Sequence, residues 1–413
     1  MDPPSTKTRQ PLTIVSNNVS QRTQKHSAAS NEQSDLPRKH SAPACNDTFF
    51  VYKKCYAKSV SNDEGNVTMV KMTDRLCFLI RIISTAYFAD PFDRLSDEVI
   101  LHIFKWLPKK TLLACGEVSH RFNRVSKDET LWVRLDLSCR RIKTDALSDI
   151  LNRGIVVLRM SQASIVRADN MSEAEFSHRT KLQYLDLSMC TVDKDVLCAL
   201  LASCRSLIKL SLENVPLNEQ ICAEIAANPT LESLNLTMCP GITATAMRTM
   251  AKGLTKLQSL NVGWAYLSSE AVTELVHNLT PHMLRLNLAG CRSTLANEGL
   301  AVLVKRCPRL LELDLSDCTQ LNSEAIQLIC RLRKLEYLSL SRCYNIHPTS
   351  YLSLADLRSL LFLDLFGLMS DNAIATLQHS FAGVGINKFY HSSVARPTVG
   401  TRRTSIWGIR TRE

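Results

Sequence analysis

Eight times between residues 182 and 365 the chain repeats one frame, L-x-x-L-x-L, in an unbroken register. The frame reads Leu182/Leu185/Leu187, Leu207/Leu210/Leu212, Leu231/Leu234/Leu236 and Leu257/Leu260/Val262. It continues with Met283/Leu286/Leu288, Leu310/Leu313/Leu315, Leu335/Leu338/Leu340 and Leu360/Leu363/Leu365. First positions stand 24 to 27 residues apart, and looser copies at Trp132/Leu135/Leu137 and Ile155/Leu158/Met160 extend the series to about ten. Such a period excludes most compact folds. Each unit is one supersecondary element that cannot bury its own apolar edge, so the units must stack.

The spacing predicts how they stack. A short strand carries the frame, its leucines point into a shared core, and a helix on the outer side closes the turn, as over Asp195–Ser203, Glu219–Ala227, Ala244–Gly253 and Ser323–Cys330. The fold class is therefore α/β, a leucine-rich-repeat horseshoe solenoid over residues 131–380 with a parallel sheet on its inner curve. Cys190, Cys239, Cys291, Cys318 and Cys343 each stand three residues after the last position of a frame. A small side chain fits beneath the turn there, so these cysteines, with Cys204 and Cys307, are expected in the core.

That placement gives seven of the fifteen cysteines a structural role. No C-x-x-C pair occurs, and the opening Met1-Asp-Pro-Pro-Ser has no apolar signal region, so reduced thiols and no metal or other cofactor are expected. The sequon at Asn235 falls inside a predicted strand. The longest apolar run, Leu76 to Ala89 with Arg81 inside it, is too short to span a bilayer. The formal charge of +11 suggests nucleic acid until it is divided along the chain. Residues 1–58 hold nine Lys/Arg against four acids, residues 381–413 six against one, and the middle 35 against 34. Basic ends on a neutral body point to solvated tails and to no nucleic-acid or membrane partner.

Residues 1–45 have the composition of a disordered tail. Within them Arg38-Lys-His-Ser41-Ala-Pro43 has the pattern of a basophilic kinase site, which makes Ser41 a possible phosphosite. Residues 46–90 read as a linker, with Asp47–Lys54 able to form one strand. Residues 91–135 are different. Ser96 fits an N-cap with Asp97 and Glu98 in the first turn, and Val99, Ile100, Ile103, Phe104 and Leu107 then form one helical stripe. Pro108 ends that helix, a second carries Leu112 and Leu113, and a third presents Phe122 and Val125. Three short helices make a thin core, so part of the apolar face should await a partner. At the far end residues 381–413 leave the period, yet Phe389, Tyr390, Trp407 and Ile409 make that tail apolar enough to fold back on the repeats.

The positions Leu95, Glu98, Ile103, Phe104, Leu107, Pro108, Leu112, Leu113, Val118, Phe122, Leu131 and Trp132 resemble an F-box, although Ser96 stands where that family usually has proline. The tail Val394-Ala-Arg396-Pro397-Thr-Val-Gly400 with Ile406-Trp407-Gly408-Ile409, and repeats such as Leu338-Ser-Leu-Ser-Arg342-Cys-Tyr344, resemble the S-phase kinase-associated family of F-box/leucine-rich-repeat proteins. The resemblance covers residues 90–413 and the fragment Asp47–Lys54. It implies a non-catalytic substrate receptor of an SCF ubiquitin ligase, nuclear and cytoplasmic. The F-box would bind the adaptor subunit, and through it the cullin scaffold and RING subunit, by Phe92, Asp93, Leu95, Ile103, Phe104, Leu107, Pro108, Leu112, Leu113, Val118, Phe122 and Trp132. It further implies capture of phosphorylated cyclin-dependent kinase inhibitors with a cyclin-kinase-subunit accessory protein.

The residues themselves point to a second site. Those just past each strand sit at the edge of the inner face, where Trp264 and Tyr266, Arg292, Asp317, and Arg342 and Tyr344 form one patch of aromatics and arginines, the composition of a binding hot spot. The resemblance further implies that the tail joins it at Tyr390 and His391, His391 standing where that family has an aromatic. Met189, Asn214 and Met238 hold the corresponding slot in earlier repeats. No nucleophile elbow, zinc-protease, Walker or dinucleotide motif accompanies these residues, so an enzyme is not expected. The alternative to a ligase receptor is a stand-alone repeat scaffold or inhibitor whose helices merely cap the solenoid. A cap would bury the Val99–Leu107 stripe within the chain, whereas an F-box must leave part of it free.

Overall fold

The computed structural model describes residues 90–168, 176, 178–398 and 404–411. Ser41, the 1–45 tail and the segment up to residue 89, with Asp47–Lys54, lie outside them. A 3-10 turn (Pro91–Arg94) leads into three helices, α1 (Asp97–Phe104), α2 (Lys109–Gly116) and α3 (His120–Ser126). The first two repeats follow as β1 (Arg134–Asp136), β2 (Arg141–Lys143), α4 (Thr144–Leu151), β3 (Val157–Arg159) and β4 (Ser164–Val166), with β2 and β4 paired in a small parallel sheet of their own.

From there strand and helix alternate: β5 (Tyr184–Asp186), α5 (Lys194–Ser203), β6 (Lys209–Ser211), α6 (Glu219–Ala226), β7 (Ser233–Asn235), α7 (Ala244–Gly253), β8 (Ser259–Asn261) and α8 (Ser269–Asn278). The series runs on through β9 (Arg285–Asn287), α9 (Asn297–Arg306), β10 (Glu312–Asp314), α10 (Ser323–Ile329) and β11 (Tyr337–Ser339). It closes with β12 (Phe362–Asp364), α11 (Asp371–Ser380), β13 (Gly385–Ile386) and the tail strands β14 (Ser405–Ile406) and β15 (Ile409–Arg410). One 11-stranded parallel sheet runs in sequence order from β1 to β13, omitting β2 and β4. This is a leucine-rich-repeat solenoid.

The frame explains the register. Middle leucines pair strand to strand, as Leu210 with Leu234 and Leu313 with Leu338, so that one row of identical side chains enters the core. Side chains of Asn218, Thr243 and Ser268 accept from backbone N–H groups of Ile221, Ala246 and Ala271 at 2.8, 3.1 and 3.2 Å, capping α6, α7 and α8. Between β11 and β12 the helix gives way to a 3-10 segment (Pro348–Asp356), which starts at a proline and buries Tyr351 and Leu354. The expected core cysteines are buried. The thiols of Cys239 and Cys343 donate to the carbonyls of Leu212 and Leu315 in the preceding repeat at 3.1 Å, and burial pushes both up to about 12.

Candidate functional site

Two places on the molecule gather exposed side chains of the kind that bind proteins. The first is the helical module. Its inner side is held by Arg121 on α3, whose Nε donates to Asp97 Oδ1 at 2.8 Å and whose other nitrogens donate to the carbonyls of Phe92 and Leu95. Arg124 reaches the same carboxylate at 2.5 Å. Hydrogen bonds from Arg121 and then Arg124 hold the Asp97 carboxyl below the usual carboxylate range. Phe122 stands edge-on to both Phe92 and Phe104, at 5.1 and 5.3 Å between ring centres. Ser96 occupies the N-cap position of α1 without a capping hydrogen bond from its side chain.

That scaffold divides the predicted adaptor residues. Ile103, Leu113 and Val118 are 40%, 53% and 71% exposed, and Phe92, Asp93 and Pro108 are also exposed. Leu95, Leu107 and Phe122 are half-buried. Phe104, Leu112 and Trp132 are buried in this chain's own core, so as direct contacts they need correction: they shape the module from within. Trp132 donates from Nε1 to the Ser126 carbonyl at 2.7 Å, and the Arg153 guanidinium lies 4.5 Å from its ring, which ties the helices to the first repeat. Sequence reading missed Trp106, 80% exposed just past α1, and Val99, 45% exposed, which was placed on the stripe but not among the contacts. The signal for both was available in the helical spacing, since Val99, Ile103 and Trp106 share one face.

The second place is a ladder of turns along one edge of the sheet. Three residues past the strands a left-handed residue recurs, at Met189, Asn214, Met238, Trp264, Gly290, Asp317, Arg342 and Gly367, with φ between 56° and 85°. Each N–H in the ladder from Met189 to Arg342 donates to a carbonyl of the following repeat at 2.7 to 3.0 Å, extending the sheet past its strands. This corrects the register expected from sequence. Gly290 holds the ladder slot, and Arg292 stands two residues further on, in a second row with Tyr266 and Tyr344.

The glycine matters. A Cβ on Gly290 would come within 2.8 Å of the Trp264 ring, and one on Gly367 within 3.1 Å of Arg342 Cγ. Each side chain therefore leans across the next repeat into space that only glycine leaves open. The Arg292 guanidinium lies 5.2 Å from the Trp264 ring centre. Asp317 is only 3% exposed and serves as the clamp: Arg342 donates to its Oδ2 through Nε at 2.8 Å and also through Nη2, and Arg292 Nη2 lies 3.5 Å from Oδ1. Five N–H donors on each guanidinium leave both arginines able to bind a further acceptor.

The tail completes this site. Phe389 packs edge-on to Tyr337 and Phe362, and Tyr390 stacks on Phe366 with ring centres 5.0 Å apart. Asp364 accepts from the backbone of Lys388 at 2.9 Å and from the hydroxyl of Tyr337 at 2.9 Å. A cavity of about 410 Å³ opens there, lined by Trp264, Asp314, Ser339, Arg342, His391 and Arg396 among others. The structure thus brings together Trp264, Arg292, Asp317, Arg342, Tyr390 and His391, with Tyr266 and Tyr344 exposed beside them at 84% and 62%. Among the described residues no group of His, Cys, Asp or Glu could hold a metal ion, and no helix is long and apolar enough to cross a membrane.

A family model described as the SKP2 LRR domain matches residues 145–413, and one described as F-box-like matches residues 92–138. The chain belongs to the F-box/leucine-rich-repeat proteins, with an SKP2-type repeat domain. Over 46 residues it is 46% identical to the F-box protein dre-1 of Caenorhabditis elegans, which takes in 11% of this chain and 5% of that protein. Over 200 residues it is 27% identical to F-box/LRR-repeat protein 4 of Bos taurus, 46% of this chain and 31% of that one. The chain thus spans less than a third of the length of these relatives. Among solved structures it is similar to the leucine-rich repeat-containing protein LegL7 from Legionella pneumophila, with a TM-score of 0.40 and 15% identity over 61% of this chain and 89% of that one. It is also similar to a chain of the Rad7 and Elc1 complex in yeast, with a TM-score of 0.38 and 14% identity over 75% and 96%. In this F-box/leucine-rich-repeat protein, then, the first exposed surface belongs to the F-box and the second to the repeats.

Proposed function

We propose that this chain is the non-catalytic substrate-recognition subunit of an SCF-type ubiquitin ligase. Its F-box docks on the adaptor subunit, and through that on the cullin scaffold and RING subunit, by way of Phe92, Val99, Ile103, Trp106, Leu113 and Val118. The observation that carries this reading is the exposure of that apolar face on a module whose other side is fixed by Arg121 and Trp132. A cap serving only the solenoid would have turned Val99, Ile103 and Trp106 inward, which counts against the stand-alone scaffold.

At the repeats, the clamp of Asp317 with Arg292 and Arg342 presents guanidinium donors between aromatic walls, a surface suited to carboxylate or phosphate groups. On that chemistry and the family membership, the substrate is a phosphorylated cell-cycle regulator of the cyclin-dependent kinase inhibitor class, held with a cyclin-kinase-subunit accessory protein, in the nucleus and cytoplasm. The test is reconstitution of the full chain with adaptor, cullin, RING subunit and accessory protein. Ubiquitin transfer to a phosphorylated inhibitor is expected, and little to its unphosphorylated form. Adaptor binding without phosphate-dependent transfer would contradict the substrate, and no adaptor binding would favour the scaffold.

A further inference from the structure

The tail does not lie flat on the sheet. Over β8 it comes down, and Asn261 donates from Nδ2 to the Val394 carbonyl at 2.9 Å. Over β9 and β10 it stands off, and the cavity of about 410 Å³ separates Tyr390, His391 and Ser392 from the strands beneath. Small-molecule sites run from about 300 to 1,000 Å³, many times the roughly 30 Å³ that one water takes.

Two nitrogen donors face this space without an acceptor. The last residues of β7, β8 and β9 are Asn235, Asn261 and Asn287, and each Oδ1 accepts from the N–H two residues on, at 3.2, 3.0 and 2.8 Å. That bond fixes which end of each amide is nitrogen. Asn235 then donates from Nδ2 to Ser211 Oγ at 2.9 Å, and Asn261 donates to the tail. Asn287 is only 5% exposed and lines the cavity, and among the described residues its Nδ2 meets no acceptor. Arg396 of the tail repeats the pattern. Its Nη2 lies 3.8 Å from Glu213 Oε1, too far for a hydrogen bond, and its Nε is enclosed with no partner among the described residues. An enclosed donor without an acceptor costs free energy, and most on a charged group.

The rest of the lining narrows what would satisfy them. Ser339, Ser341 and Asp314 lie on the floor, Trp264 and Phe389 give flat apolar walls, and Arg342 adds a second guanidinium. A charged Asp314 would repel an anion, but Ser316 donates twice to its Oδ1 and burial favours the neutral acid. We propose that this cavity binds a small hydroxylated organic anion, its acid group held by Arg396 and Asn287 and its hydroxyls by Ser339 and Ser341. A sugar phosphate and a hydroxy acid share that chemistry. Such a ligand touches sheet and tail at once, so it pins residues 389–396 and with them Tyr390 and His391 beside Arg342.

The test uses the full chain, with glucose 6-phosphate and citrate as probes titrated by calorimetry. Hydrogen exchange over residues 389–396 gives a second reading. Saturable binding of at least one probe is expected, with slower exchange in that segment, and the tighter probe assigns the acid group. Asn287→Asp keeps the Oδ1 acceptor, as Asp314 and Asp364 do at the same strand position, and replaces the donor by a carboxylate. It should weaken the bound probe at least about tenfold. Arg396→Gln should lose about as much and Arg396→Lys less, with melting temperatures close to wild type, and Arg396→Gln carries the test should Asn287→Asp fold poorly. Binding of neither probe, undiminished affinity in a folded Asn287→Asp or Arg396→Gln variant, or binding that leaves exchange over 389–396 unchanged would each overturn the proposal.

Discussion

Every apolar residue of the eight repeat frames is at most 4% exposed, whereas Val99, Ile103, Trp106, Leu113 and Val118 of the helical module stand between 40% and 80% exposed. Both regions are written in the same aliphatic alphabet. The solenoid satisfies its apolar edges from within, because each unit meets its like on either side. Among the described residues the module meets the solenoid through Trp132 and through the Glu129–Lys181 ion pair, and it leaves these five side chains exposed. A residue's spacing therefore reports that it is apolar and shares a face with others, while its neighbours decide whether that face is core or interface.

Truncation should separate the two regions most strongly. Leu338→Ala deletes a fully buried side chain in the middle of the sheet and should cost roughly 2–5 kcal/mol of stability. Trp132→Ala at the junction should cost about 3–5 kcal/mol for the same reason. Ile103→Ala, 40% exposed, should cost no more than about 0.5 kcal/mol. Denaturant unfolding of the three variants measures the ranking, and a large loss at Ile103 would erase the contrast between core and docking face.

Next in size is the arginine clamp. Arg342→Ala should weaken binding of the accessory or substrate complex by about 2 kcal/mol. Arg342→Lys should recover only part of this, since a lysine lacks the planar fork. Calorimetry on the receptor–adaptor pair would record both, with adaptor affinity unchanged. Wild-type binding by Arg342→Ala alongside a loss at Met238→Ala would move the site to earlier repeats.

The smallest effect is electrostatic and lies beneath the tail. The last strand residue is an amide in three successive repeats, Asn235, Asn261 and Asn287, and a carboxylate at Asp314 and Asp364. Burial pushes the Asp314 carboxyl above its usual range, although Ser316 donates to it from backbone and hydroxyl at 2.9 and 2.6 Å. A raised folded-state pKa means that protonation stabilises. The contribution is full below the ordinary carboxylate range and is lost as pH rises through the raised value. Asp314→Asn keeps the acceptor and removes the charge, so its stability relative to wild type should grow with pH above about 4. Thermal melts across that range would show it, and a constant difference would mean that Asp314 does not titrate there.

The leucine frame made the sheet, its register and the buried cysteines legible, because a repeated pattern leaves one way to stack. The patch was legible as composition but not as geometry. Counting two residues past each frame already puts Gly290, and not Arg292, in the ladder slot, but nothing in the sequence shows that Asp317 is buried between two arginines, since that depends on contacts between repeats. Phe104, Leu112 and Trp132 were read as contacts because a matching motif marks which positions are constrained without telling packing from binding. That the tail folds back was legible in its apolar residues, but where it lands was not: Val394 meets Asn261, Arg396 meets Glu213 and Trp407 meets Tyr184, all more than a hundred residues away in sequence.

The central claim is that the exposed face of α1 and α2 is a docking surface and not a loosely packed core. Titration of the adaptor subunit into wild type and into an Ile103→Glu/Leu113→Glu variant, with thermal melts of both, tests it most directly. The expected result is tight binding by the wild type, no measurable binding by the variant, and melting temperatures that agree. Undiminished adaptor binding by a variant that melts like the wild type would contradict the claim.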